Sequence, residues 1–90
     1  MNKNFFKLAL YYFPECPYCA LVLNAISSLD IQQFVKLCNI RLDPAFQTKL
    51  INDTGRKTVP CLYINDKPMH ESKDIIAWLK AHAQDLTKDS

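Results

Sequence analysis

Ninety residues with 11 basic and 9 acidic side chains, a net charge of +2 and 49% apolar content describe one small domain able to bury a thin core. So mild a charge makes no case for nucleic acid or an anionic membrane surface, and a single glycine, Gly55, leaves no material for a glycine-rich phosphate loop. No run approaches the ~18 apolar residues of a bilayer span. Lys7 interrupts "NKNFFKLALYYF", and no cleavage site of small residues follows. The chain is therefore expected to be soluble, cytoplasmic and free of membrane and nucleic-acid partners.

Lys7–Phe13, "KLALYYF", is apolar on both faces and rich in aromatics, which predicts a buried central strand. Pro14 ends it. Pro17 fits the first turn of a helix, where a missing N–H costs nothing. Cys19, Val22, Ile26 and Leu29 recur at helical spacing, with Leu23 and Ala25 beside them. A helix from Pro17 to Leu29 would turn Cys19 inward and leave Cys16 at its cap. Phe34–Ile40, "FVKLCNI", predicts a second strand. Asp43 is placed to cap a helix that starts at Pro44, buries Phe46, Leu50 and Ile51, and ends at Gly55 in the left-handed conformation. Cys61–Ile64 reads as a third strand, Asn65–Asp66 as a hairpin turn, and Pro68–His70 as a short edge strand. Ser72 would cap a last helix with Ile75, Ile76, Leu79 and Ala83 inward, and the tail "LTKDS" is expected to fray. The order β-α-β-α-β-β-α defines a single α/β domain over residues 1–90. Its first two strands should be parallel, with a right-handed crossover.

The chemistry concentrates in "FPECPYC" at 13–19. In a reducing compartment a close cysteine pair is more often catalytic or metal-binding than structural, and a bridge across so small a loop constrains little. A thiol reacts as its thiolate, which free N–H groups and the positive end of a helix dipole favour. Cys16 occupies such a place, and Cys19 follows almost one turn later, as thiol–disulfide exchange requires. Zinc would need a second ligand pair, and Cys38, Cys61, His70 and His82 have no such spacing. Cys38 and Cys61 read as small buried hydrophobes. His70 is expected near the active face, and His82 in solvent. "TVP" at 58–60 precedes an apolar strand. A cis Val59–Pro60 bond there would leave the Val59 backbone free to pair with an extended peptide.

Taken together, "CPYC" at 16–19, "TGRKTVP" at 54–60, "LYIND" at 62–66 and "ESKDI" at 71–75 resemble the glutaredoxins of the thioredoxin superfamily, over nearly the whole chain. The resemblance implies a thioredoxin-like fold with a four-stranded mixed sheet flanked by helices. It implies Cys16 as nucleophile, Cys19 as resolving thiol, Pro60 as a cis-proline facing Cys16, and Val59, with Thr58 beside it, pairing with the glutathione backbone. Tyr18 would flank the groove. Glutathione would serve as reductant and co-substrate, with no tightly bound cofactor. Disulfide-bonded or glutathionylated proteins would be the partners of a monomer. Two departures stand out. Glutaredoxins usually carry a lysine where this chain has Phe13, and Arg56, Lys57 or Lys49 could substitute. They also carry a Gly-Gly pair where this chain has His70–Glu71. Glu71–Ser72 resembles instead the N-terminal domain of glutathione transferases, where such a pair binds the γ-glutamyl end of glutathione. Two alternatives follow: a stand-alone transferase-like glutathione-binding domain, or a glutathione-liganded [2Fe–2S] cluster carrier, against which Pro17 argues.

Overall fold

A computed structural model describes residues 6–87. Its elements are β1 (Leu8–Tyr12), α1 (Pro17–Ser28), a 3-10 turn (Gln32–Phe34), β2 (Val35–Asn39), α2 (Pro44–Thr54), β3 (Cys61–Ile64), β4 (Lys67–Met69) and α3 (Ser72–Thr87). The strands lie in the order β2-β1-β3-β4. β1 runs parallel to β2 and antiparallel to β3, so Tyr11 sits between Cys38 on one side and Cys61 on the other. β3 and β4 form the expected antiparallel hairpin. The fold is α/β with a mixed four-stranded sheet and three helices, as the sequence predicts.

Alternation along β1 sends its side chains to two cores. Leu8 and Leu10 join Val22 and Ile26 of α1 and Ile75, Leu79 and Leu86 of α3 on one face. Tyr11 joins Cys38, Ile40, Cys61, Tyr63 and Leu50 of α2 on the other. Both ends of α2 are set by local chemistry. Asp43 Oδ1 accepts the Ala45 N–H at 3.0 Å, Pro44 starts the helix, and Gly55 ends it at φ +79 while donating to Ile51 O at 2.8 Å. In the hairpin turn Asn65 and Asp66 have φ of 51 and 72, and Asn65 Oδ1 takes the Lys7 N–H at 2.7 Å. Among the described residues no helix is long and apolar enough to cross a membrane.

Several expectations need correcting. Ile51 is 41% exposed rather than part of the buried face, because it is one residue on from the fully buried Leu50 and so points about 100° away on the helix. β2 starts at Val35, with Phe34 in the 3-10 turn, and β4 covers Lys67–Met69 rather than Pro68–His70. The helix α3 opens with Ser72 as its first residue, and Glu71, whose carbonyl accepts the Ile75 N–H at 3.0 Å, holds the cap position expected for Ser72. His82 is half-buried rather than solvated, stacked on Trp78 at 4.1 Å. Leu86, expected in a frayed tail, is 2% exposed within the α1–α3 core. Residues 88–90 of that tail lie outside the described residues. The i, i+4, i+7 and i+11 spacing of Ile75, Leu79, His82 and Leu86 keeps α3 against the sheet to its end.

Leu86→Ala should therefore cost about 2–5 kcal/mol in urea unfolding, the usual range for emptying a buried leucine site. Leu42→Ala, at a side chain 82% exposed, should stay within about 0.5 kcal/mol of the parent. A tail that contributes nothing would make the two variants equal.

Candidate functional site

Extended backbone at Cys16 (φ −79, ψ 121) makes this residue the N-cap of α1, immediately before Pro17. Its Sγ accepts the Cys19 N–H at 3.4 Å and lies 4.0 Å from the Val59 carbonyl oxygen. The sulfur thus sits where a helix start meets the turn that leads into β3. The Val59–Pro60 bond is cis, as expected. The thiol of Cys16 is free but largely closed to solvent. The residue is 8% exposed, because the Val59 segment packs over it. Cys19 is fully buried, and burial is the main cause that pushes its thiol up to about 12. Cys38 and Cys61 are buried too. Burial raises both thiols, Cys61 to about 11. At neutral pH these three stay protonated.

A groove of about 520 Å³ runs beside the Val59–Pro60 turn. Tyr18, Thr58, Val59, Pro60, Glu71 and Ser72, which the sequence singles out one by one, all line it. Leu21, Arg56, His70 and Lys73 complete its wall. Three segments meet here: the first turns of α1, the α2–β3 connection and the start of α3. Glu71 holds φ +76. That is a left-handed backbone which costs a side-chain-bearing residue roughly 1–2 kcal/mol, and which a glycine adopts freely. The N–H groups of the first turn of α3 have no acceptor within the helix, so the end of the groove suits an anion. His70 also lines the groove. Its Nε2 is 4.0 Å from Cys61 Sγ, and burial lowers its pKa.

A second pocket, of about 420 Å³, is lined by Phe13, Ile40, Arg41, Pro44, Gln47 and Lys57. Phe13 occupies the place where the glutaredoxin pattern has a lysine. Its ring carries the Arg41 guanidinium 4.2 Å above it, and Arg41 Nη1 is 3.5 Å from Glu15 Oε1. Of the three substitutes considered, Lys57 lines this pocket and Arg56 lines the first groove. Lys49 lines neither. It is held by Asp53 at 2.9 Å and lies over the Tyr63 ring. Arg41 and Gln47 escaped the sequence reading. The available signal was topological: Arg41 follows the carboxyl end of a parallel strand, where open α/β sheets place their ligands.

Against this geometry the chain can be compared with known proteins. Residues 10–86 match the family of glutathione S-transferase N-terminal domains. The chain is 32% identical over 71 residues to glutaredoxin-C4 of Arabidopsis thaliana, covering 78% of this chain and 53% of that protein, so it spans about half the length of the curated relative it matches. A wheat glutaredoxin crystal structure superposes with a TM-score of 0.68 at 25% identity, covering 93% of this chain and 82% of that one. A glutathione transferase homologue from Drosophila mojavensis, solved with bound glutathione, gives a TM-score of 0.68 at 22% identity over 87% of this chain and 36% of that one. The chain belongs to the glutathione S-transferase N-terminal domain family, within the thioredoxin superfamily that also holds the glutaredoxins.

Iodoacetamide applied to the folded protein at about pH 8 should label Cys16 alone, because a thiol raised well above that pH and closed to solvent is inert. Peptide mass mapping should find Cys19, Cys38 and Cys61 modified only after unfolding. Early labelling of Cys38 or Cys61 would contradict the burial described above.

Proposed function

We propose that this domain is a glutathione-dependent thiol–disulfide oxidoreductase that reduces glutathionylated thiols and protein disulfides through Cys16 and Cys19, in the reducing cytoplasm and as a monomer. The observation that carries this reading is the placement of Cys16 Sγ between the Cys19 N–H and the Val59 carbonyl, next to a groove that ends at Glu71 and Ser72. Glutathione would lie extended along Val59, exchanging backbone hydrogen bonds with it as an added strand does. Its γ-glutamyl carboxylate would meet the start of α3 and the Ser72 hydroxyl, and its ammonium would meet Glu71. The glycyl carboxylate would point to Arg41 and Lys57, which take over from the lysine that the glutaredoxin pattern places at Phe13.

In the first step the Cys16 thiolate attacks the glutathione sulfur of a mixed disulfide. A Cys16–glutathione disulfide forms, and the acceptor leaves as a thiolate that takes a proton from water. A second glutathione thiolate then attacks that sulfur, releases oxidised glutathione and restores Cys16. With a protein disulfide, Cys16 instead forms a bond to one protein sulfur and releases the other. Cys19 then attacks Cys16, frees the second protein thiol and leaves a Cys16–Cys19 disulfide, which two glutathiones reduce. Burial holds Cys19 as a thiol, so it acts only after Cys16 is engaged and its proton has been removed.

The test is a coupled assay with glutathione, glutathione reductase, NADPH and a small glutathionylated disulfide, run beside a thioredoxin-reductase assay to identify the electron donor. Cys16→Ser should lose all turnover. Cys19→Ser should keep deglutathionylation and lose reduction of protein disulfides. If both activities vanish in a folded Cys19→Ser variant, the division of roles fails.

The family match and the Glu71–Ser72 pair also favour a second reading, a transferase-like glutathione-binding domain without disulfide chemistry. Glutathione binding by calorimetry, with no turnover of mixed disulfides, would select it. Visible absorption from an iron–sulfur cluster in anaerobically purified protein would select the carrier alternative. Under the proposed reading, Ser72→Ala and Glu71→Gln should raise the apparent KM for glutathione about tenfold, the scale of one hydrogen bond to a charged group. If neither side chain meets glutathione, the KM stays unchanged in both variants.

A further inference from the structure

The groove wall carries more than the glutathione reading uses. Tyr18 and Leu21 are 62% and 50% exposed, and they stand three residues apart on α1, hence side by side on its surface. Single exposed apolar side chains are ordinary. These two adjoin, and both line the groove beside Cys16. Arg56 and Lys73, both exposed, line the same groove. Lys73 lies in the first turn of α3, where the helix dipole disfavours a cation. Its charge therefore gains nothing from the helix. Arg41 and Lys57 add two further cations in the second pocket. Of the acids nearby, Glu15 is paired with Arg41, Glu71 would meet the glutathione ammonium, Asp43 caps α2, and Asp74 follows Lys73 in the first turn of α3.

Resting on the reading above and deepening it, we propose that Tyr18 and Leu21, with Arg56 and Lys73 of the same groove, form the docking surface for the acceptor protein. The surface selects glutathionylated or disulfide-bonded segments that carry an apolar residue and acidic residues next to the reactive cysteine. Such a segment would place its apolar side chain on the Tyr18–Leu21 ridge and its carboxylates toward Arg56 and Lys73. Aromatic and arginine side chains around a desolvated centre are what interface energetics favour. Charge complementarity further favours an acidic occupant over a second copy of this chain, which would itself bring a net charge of +2.

The experiment compares three acceptors in the coupled assay: two glutathionylated hexapeptides with one leucine, flanked by glutamates or by lysines, and the mixed disulfide of glutathione with 2-mercaptoethanol. The acidic peptide should show a kcat/KM about five- to tenfold above that of the basic one, and the gap should shrink as salt rises. Lys73→Glu should abolish or reverse that preference. Leu21→Asp should slow both peptides, and in both variants the effect on the peptides should exceed any effect on the small mixed disulfide, which uses the glutathione part of the groove alone. Equal kcat/KM for the two peptides, or a preference that survives Lys73→Glu, overturns the proposal. Equal losses on the small disulfide also overturn it, because the two residues then serve glutathione. If the parent protein turns over none of the three, the oxidoreductase reading fails by itself. Fluorescence anisotropy with the labelled peptides then decides the surface: tighter binding of the acidic peptide, lost in Lys73→Glu, upholds it, and equal binding overturns it.

Discussion

The structure of the site depends on one junction, the Cys16 sulfur held between the Cys19 N–H of α1 and the Val59 carbonyl. Neither side of that junction stands alone. The start of α1 is fixed by Pro17 and by burial of Cys19, Val22 and Ile26. The Val59 segment is fixed by Cys61 and Leu62 in the centre of the sheet, where β3 pairs with β1. Because β1 leads directly into the Cys16 loop, the strand that organises both cores also delivers the sulfur. The start of α3 closes the third side. Its position follows from Ile75, Leu79 and Leu86 packing on the same core as α1. A small domain with a thin core can hold a side chain in place in this way, because the packing residues and the residues around the Cys16 sulfur are neighbours in the chain.

Much of this was legible in the sequence because local rules agreed with the global arrangement. Pro17, Pro44, Asp43 and Gly55 mark helix ends by their own backbone chemistry, and the structure uses each of them so. The mixed sheet followed from the β-α-β order and one hairpin. All six residues assigned to substrate binding line one groove, although they come from three distant segments. What escaped were properties set by tertiary packing. Leu86 looks like part of a polar tail in sequence, yet it reaches the core because α3 continues along the sheet. The burial of Cys16 depends on the Val59 segment folding over it, which no pattern around "CPYC" encodes. Arg41 was missed because a lone arginine after a strand has no periodicity. Its meaning comes from Phe13 and Lys57, which reach the same pocket from other segments.

The departures from the glutaredoxin pattern have a common physical logic. A backbone position at φ +76 suits glycine, yet this chain keeps Glu71 there. A strained residue that persists beside a groove points to use of its side chain. At Phe13 the chain exchanges a flexible ammonium for an aromatic ring that seats the planar Arg41 guanidinium. Such a group can meet a carboxylate with two parallel hydrogen bonds. The two changes lie in different pockets, Phe13 in one and Glu71, with Val59, in the other. They are consistent with a ligand bearing charge at both ends, and with a domain that combines a glutaredoxin-like thiol pair with a transferase-like helix start.

The most direct measurement is a crystal structure of the Cys19→Ser variant trapped as its mixed disulfide with glutathione. The account predicts glutathione bonded to Cys16 Sγ and paired with the Val59 backbone. Its γ-glutamyl end should lie at Glu71 and Ser72, and its glycyl carboxylate at Arg41 and Lys57. Glutathione attached to another cysteine, or bound to Cys16 with its tripeptide turned away from Val59, would contradict it.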